Sequence, residues 1–233
     1  VAWNWKAGGS ASSNSDGTIT SSVSANTTAK FSIATYSGNS TAGATVGHGL
    51  GVKPDFIMIK TRNASDNWMV YHAKMDESSP EDYKMELNDL GARVDSSNML
   101  NDTAPTSSVV TLSSDGSVND SSRTYVMYCF SEVAGYSKFG SYEGNQNADG
   151  PFVYLGFTPA FLLIKNADNG SNRNWCIIDA TRTTINKTAS AEVLFANDSQ
   201  TESVANNNYG QFASKPAVDI VSNGFKVREG ETS

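Results

Sequence analysis

The 233-residue chain has two cysteines and two histidines, and each scarcity closes off a class of function. Two cysteines cannot make the dense cross-linking of a small disulfide scaffold. Two histidines leave little from which to build a catalytic triad or a histidine-rich metal site. Basic charge is short as well: 17 Lys and Arg stand against 24 Asp and Glu, for a net charge of −7. The cations are scattered singly, so no basic patch exists to release counterions, and neither nucleic acid nor an anionic membrane is expected as a partner. No apolar run approaches the roughly 20 residues of a membrane-spanning helix. No long stretch carries the 3.6-residue period of an amphipathic helix. Hydrophobic residues make up 38% of the chain, which is low, but they fall in short runs rich in aromatic and β-branched side chains. Ser, Thr, Asn and Gly fill the gaps. That texture belongs to a β-sandwich with exposed loops rather than to a disordered chain.

What is present is a repeat. LGVKPDFIMIK (50–60) returns as LGFTPAFLLIK (155–165), and NWMVYH (67–72) returns as NWCIID (174–179). TYSGN (35–39) returns as SYEGN (141–145), and VTLSSDG (110–116) as VDIVSNG (218–224). The offsets are about 105 to 108 residues, so one β-rich unit is expected twice in tandem. The sequence therefore divides into repeat 1 over 31–135 and repeat 2 over 136–233. A polar linker or extended surface segment is expected over 10–30, where SASSNSDGTITSSVSANTTAK has little to bury. Repeat 1 ends in RTYVMYCFSEVAG (123–135), a closing strand that repeat 2 lacks. Residues 1–9, VAWNWKAGG, read as such a strand, because Val1, Trp3 and Trp5 alternate with smaller or polar residues. This segment is either the closing strand of a preceding repeat or a donor strand that completes repeat 2, in cis or between chains as strand exchange.

Within repeat 1 the strands expected are FSIATY (31–36), ATVGHGL (44–50), DFIMIK (55–60), a segment through Trp68, Val70 and His72, YKMEL (83–87), SSVVTL (107–112) and TYVMYCF (124–130). DESSPED (76–82) reads as a loop, and the D-G and N-G pairs at Asp115, Asp149 and Asn223 read as hairpin turns. Seven or eight short strands per repeat define the expected fold class: all-β, two tandem antiparallel β-sandwich, jelly-roll-like repeats.

Candidates for chemistry are few. His48 and His72 lack the local spacing of metal ligands, and His72 falls opposite Asp179 in the repeat. Glu132, Glu143 and Asp149 sit near the repeat junction, but glycosidase chemistry needs two carboxyls facing one cleft. No G-x-S-x-G elbow, P-loop or G-x-G-x-x-G is present. Calcium would find its ligands at the Asp/Asn-rich loops, Asn119-Asp120 and 166–169. Cys129 and Cys176 lie in expected strands at non-equivalent positions and read as buried thiols, with a disulfide left open. The eight N-x-S/T sequons, Asn26, Asn63 and Asn197 among them, follow from a surface rich in these residues. Trp68 and Trp175 recur at matched positions, as do Phe56/Phe161, Ile59/Ile164, Lys60/Lys165 and Pro54/Pro159. Recurrence marks them as scaffold, leaving specificity to the loops 61–67, 73–82, 166–173 and 199–214. No catalytic, cofactor-binding or metal-binding residue is assigned, and no ligand-binding residue is identified.

The strings GSASSNSDGTITSSVSANTTAKFSIATYSGN, GHGLGVKPDFIMIK, NWMVYH, YVMYCFSEVAGYSKFGSY and DGPFVYLGFTPAFLLIK together resemble an uncharacterised β-sandwich domain family. That family is found in tail, fibre-like and other structural proteins of bacteriophages, marine ones especially. The resemblance spans nearly the whole chain and implies a non-enzymatic virion structural protein, a fibre, tail or head-decoration component exposed on the particle surface. It implies other virion proteins and further copies of the chain as partners, no cofactor, and a host-surface glycan as an additional contact. A secreted, lectin-like carbohydrate-binding module is the alternative.

Overall fold

A computed structural model describes residues 4–145, 147, 149–168, 173–182, 186, 192–199, 203–204 and 218–228. The protein is nearly all β, 38% strand and 4% helix, in several antiparallel sheets. It divides into two compact units, one of Val1–Glu86 with Arg93–Gly140 and one of Leu87–Ala92 with Ser141–Ser233.

The first unit contains β1 (Ser12–Asn14), β2 (Ser21–Asn26), β3 (Phe31–Ser37), β4 (Ala44–Gly47), β5 (Phe56–Thr61), β6 (Met69–His72), β7 (Tyr83–Glu86), β8 (Val94–Asp95), β9 (Val109–Leu112) and β10 (Thr124–Phe130). Eight of them form one sheet in the order β1-β2-β3-β10-β5-β6-β7-β8, and β4 pairs with β9 separately. The central strand β10 alternates cleanly. Tyr125, Met127 and Cys129 are fully buried, while Val126, Tyr128 and Phe130 are only partly covered. The register places Met127 between Ala34 and Ile59, and Cys129 between Ser32 and Ile57. Large side chains of β10 thus face small ones on β3 and branched ones on β5. A slip of one residue would turn this whole set outward, which is what holds the register.

Segment 10–30 is not a linker, since β1 and β2 lie in it and extend the large sheet beyond β3. Its period-2 signal is present in Ile19, Ser21 and Val23, all buried, but a serine occupies the middle place. The Ser21 hydroxyl is satisfied inside by donating to the Gly47 carbonyl at 2.8 Å, so a polar composition concealed a buried strand. Residues 4–9 are not in a strand either. They run along β2, where Asn26 Nδ2 donates to Lys6 O at 3.1 Å and Ser24 Oγ to Gly9 O at 2.7 Å. Trp5 packs edge-on against Phe130 with ring centroids 5.9 Å apart. The alternating tryptophan that reads as a strand residue serves instead as an aromatic cover. Residues 1–3 lie outside the described residues.

Asp115-Gly116 is not a hairpin turn either. Asp115 caps the single helical turn α1 (Gly116–Asn119), accepting from Ser117 N–H at 2.8 Å. Two core tyrosines hold this turn in place. Tyr36 and Tyr125 stack at 5.1 Å, Tyr36 Oη donates to Val118 O at 2.8 Å, and Tyr125 Oη donates to Gly116 O at 2.7 Å. Asn119, with no exposed surface, donates to Thr41 O and Ser113 O at 2.9 Å each and accepts from Asn39 N–H at 2.8 Å.

The second unit contains β11 (Phe152–Tyr154), β12 (Phe161–Ile164), β13 (Cys176–Asp179), β14 (Glu192–Phe195), β15 (Ser203–Val204), β16 (Val218–Val221) and β17 (Gly224–Val227). A four-stranded sheet β12-β13-β14-β15 and a three-stranded sheet β11-β17-β16 share one core of Leu162, Cys176, Ile178, Val193, Val218 and Phe225. Ser222-Asn223 forms the two-residue turn of the β16–β17 hairpin, as the N-G pair leads one to expect. Gly150 follows Asp149 in the loop before β11, outside any hairpin.

The two units use the same registers at the matched strings. Phe56 lies opposite His72 and Ile59 opposite Met69; Phe161 lies opposite Asp179 and Ile164 opposite Cys176. The next strand repeats the match, with Met69 opposite Glu86 and Cys176 opposite Phe195. The likeness stops at 110–116 and 218–224. The first string leads into a helical turn and the second into β17, whose Phe225 gives it a buried face.

Replacing Asn119 with Ala removes the partner of one buried carbonyl (Ser113) and of the part-buried Thr41 carbonyl and Asn39 N–H, and should lower stability by about 2 kcal/mol. Urea unfolding followed by circular dichroism checks this, and an unchanged midpoint would show that the three bonds are dispensable.

Candidate functional site

The matched positions carry structural hydrogen bonds. Lys60 Nζ donates to Asp66 O across the β5–β6 loop, and Lys165 Nζ donates to Arg173 O at 2.6 Å across the β12–β13 loop. Both carbonyls belong to the residue before an Asn-Trp pair, so one lysine closes the same loop twice. Lys165 also donates to Leu90 O at 2.8 Å, and burial lowers its ammonium to about 8. Trp175 is buried, its N–H donating to Asn197 Oδ1 at 2.8 Å, and Trp68 stacks on Tyr128 with centroids 6.3 Å apart.

The matched strings set His72 opposite Asp179, and both side chains do the same work. His72 Nδ1 accepts from Lys74 N–H at 3.0 Å, and Asp179 Oδ1 accepts from Thr181 N–H at 3.1 Å. Each receives the amide two residues on and closes the turn after its strand. His48 repeats the device, accepting at Nδ1 from Leu50 N–H at 3.2 Å. Its Nε2, 3.3 Å from Thr106 O, is then the donor, which fixes a neutral tautomer. Burial lowers the basicity of both rings, and with the nearby Lys74 ammonium it brings His72 down to about 4. Burial works against the ionised Asp179, but the Arg182 amide and guanidinium and the Thr181 amide outweigh it and hold the carboxyl below its usual value. Neither histidine lies in a group of three metal-binding side chains, and no such group occurs among the described residues.

The junction carboxylates do not form a pair. Glu132 Oε1 meets Lys138 Nζ at 2.6 Å in the first unit, while Asp149 meets Lys226 Nζ at 2.8 Å in the second. Glu143 is exposed, and no interaction among the described residues joins the three. Cys129 and Cys176 form no disulfide; both are buried, in different units. Burial raises both, Cys176 to about 12.

The loops reserved for specificity are held by short polar side chains that bond backbone groups or a cation. In 61–67, Asn63 bonds Ser122 O at 3.2 Å and Thr124 N–H at 2.9 Å, and Asp66 pairs with Arg123 at 2.7 Å. In 73–82, Asp76 accepts from the amides of Ser78 and Ser79. Burial, with Asp102, Glu81, Asp95 and Asp76 nearby, raises the Asp82 carboxyl. In 166–173, Asn166 accepts from Asp168 N–H at 3.0 Å, and 169–172 lies outside the described residues. So does 199–214 apart from 199, 203 and 204. The described parts of these loops offer hydrogen-bond donors and acceptors.

Sequence reasoning missed Phe152 and Tyr154. The strand β11 turns both aromatic rings to solvent, 48% and 65% exposed. The alternation of F-V-Y was legible, yet it favours the aromatics as the inward side, and only the register shows that Val153 faces the core.

The family model for a domain of unknown function (DUF7483) matches residues 1–233. No curated protein and no solved structure matches the chain.

Two expectations follow from the buried groups. At pH 8 the native protein should leave both thiols unmodified by Ellman's reagent and yield two per chain in guanidinium; native reaction at either would refute their burial. The low basicity of folded His72 makes stability depend on pH. The unfolded chain takes up a proton near pH 6.5, the folded one near 4, so stability falls as pH drops through that window, by roughly 2 to 3 kcal/mol. His72→Asn, which keeps a turn acceptor, should flatten melting temperature against pH relative to wild type between 6.5 and 4. Parallel curves would exclude His72 as the cause.

Proposed function

We propose a function for a chain that belongs to the DUF7483 family, a domain of unknown function: it is a non-enzymatic structural protein of a bacteriophage virion. It serves as a fibre, tail or head-decoration component on the particle surface. Its partners there are other virion proteins and further copies of itself, and it contacts host-surface glycans. The two compact units are tandem copies of one β-sandwich, jelly-roll-like repeat of about 105 residues. The repeat is supported by the shared registers, Phe56–His72 with Phe161–Asp179 and Met69–Glu86 with Cys176–Phe195. The viral assignment is supported by the resemblance of the joined strings from GSASSNSDG through DGPFVYLGFTPAFLLIK.

One observation carries the non-enzymatic reading. The residues that supply chemistry elsewhere are already committed to the fold. His48, His72 and Asp179 accept backbone amides, Lys60 and Lys165 donate to carbonyls, and both thiols are buried. A catalytic acid or base needs a free lone pair or proton facing substrate, and the lone pairs that His48, His72 and Asp179 turn to backbone amides are already engaged. A secreted lectin-like module is the second reading, favoured by the exposed aromatic pair on β11.

Density-gradient separation of a phage lysate decides between them. The chain, identified by mass spectrometry, is expected to travel with DNA-filled particles. Recovery only from the soluble fraction would overturn the virion assignment and leave the secreted module.

A further inference from the structure

We propose that the outer face of the β11-β17-β16 sheet is a binding platform for a neutral glycan, with Phe152 and Tyr154 as its stacking surface. This rests on the glycan contact in the function above and gives that contact a place.

The two rings project from positions i and i+2 of one strand, about 7 Å apart along it. Val153 between them packs into the core. Cross-strand register sets Phe152 beside Lys226 and Tyr154 beside Gly224. Each ring reaches over a glycine. A Cβ on Gly224 would come within 3.2 Å of the Phe152 ring, and one on Gly156 within 3.5 to 3.9 Å of the Tyr154 ring and hydroxyl. At Gly224 a Cβ would also come within 2.0 Å of the Val153 carbonyl oxygen, so the close approach of β11 and β17 requires glycine there.

The polar groups on this face are paired. Lys226 Nζ meets Asp149 Oδ1 at 2.8 Å, Arg228 meets the same oxygen at 3.7 Å, and Arg228 Nε meets Asp219 Oδ2 at 2.5 Å. Among the described residues two cations and two anions cancel, so these side chains present fixed donors and acceptors without net charge. That pattern selects its occupant. An anionic ligand needs a cation to spare, and here each cation already has a carboxylate. A protein partner needs roughly 800 Å² per side around an apolar centre, and two rings edged by ion pairs do not supply one. A sugar ring has an apolar C–H face, which stacks on the electron-rich face of an aromatic ring. Its hydroxyls both donate and accept, as ion-paired side chains require. An uncharged oligosaccharide of two or more hexose units matches two adjacent rings.

The test uses the full chain on an array of neutral, sulfated and sialylated oligosaccharides, followed by calorimetric titration of the strongest neutral binder. Wild type is expected to bind neutral glycans. Phe152→Ala and Tyr154→Ala should each weaken binding about tenfold, as the loss of a stacking contact implies. The double variant should abolish it, Phe152→Trp should retain it, and all variants should melt as wild type does. Full binding by the double variant would remove the platform while leaving glycan recognition elsewhere on the chain. A preference for charged glycans would overturn the neutral class. If wild type binds no glycan, the platform and the glycan contact fall together, and the virion assignment still rests on the gradient. If the double variant changes only the sedimenting mass, the face joins protein copies and the proposal is wrong.

Discussion

Every strand end must satisfy the backbone groups that leave the ladder, and this protein does so with short polar side chains that accept the amide two residues on. Asn14 bonds Asp16, Asn39 bonds Thr41, His48 bonds Leu50, and His72 bonds Lys74. Thr106, Ser113, Asp115, Asp120, Asn166 and Asp179 continue the pattern. Each such bond contributes about 1 kcal/mol. Together they fix where strands stop, and so which side chains reach the core. The wealth of Ser, Thr, Asn and Asp is thereby a folding device rather than a mark of disorder.

The same device also engages residue types that supply chemistry in other proteins. Residue types that elsewhere perform catalysis are used here as turn acceptors, loop closers and buried small hydrophobes. Lys60 and Lys165 tie matched loops, and His72 and Asp179 do one job with different chemistry. Against that background the β11 aromatics stand apart, because exposing them gains the fold nothing.

Much of the framework was legible. The apolar runs FIMIK and FLLI and the alternating TYVMYCF became β5, β12 and β10, and YKMEL became β7. The errors have physical causes. Segment 10–30 looked too polar to bury, yet Ser21 lies inside with its hydroxyl bonded to Gly47. Asp115-Gly116 suits a hairpin or a helix cap equally, and the hydroxyls of Tyr36 and Tyr125, reaching from distant strands, select the cap. The turn role of the histidines was hidden because an i to i+2 bond needs a particular backbone path, which composition does not reveal.

Strand identity and hairpin pairing follow from local order, since a period of two and a turn signal act over a few residues. Facing is a different matter. Strand β3 carries Phe31 and Ile33 on one side and Ser32, Ala34 and Tyr36 on the other, and the second side lies fully buried because Met127 and Cys129 of β10 fill the space above the small residues. Strand β11 sends its smallest side chain inward because Val227 and Phe225 wait there. Burial is a property of the partners a strand meets, and those partners come from tens of residues away.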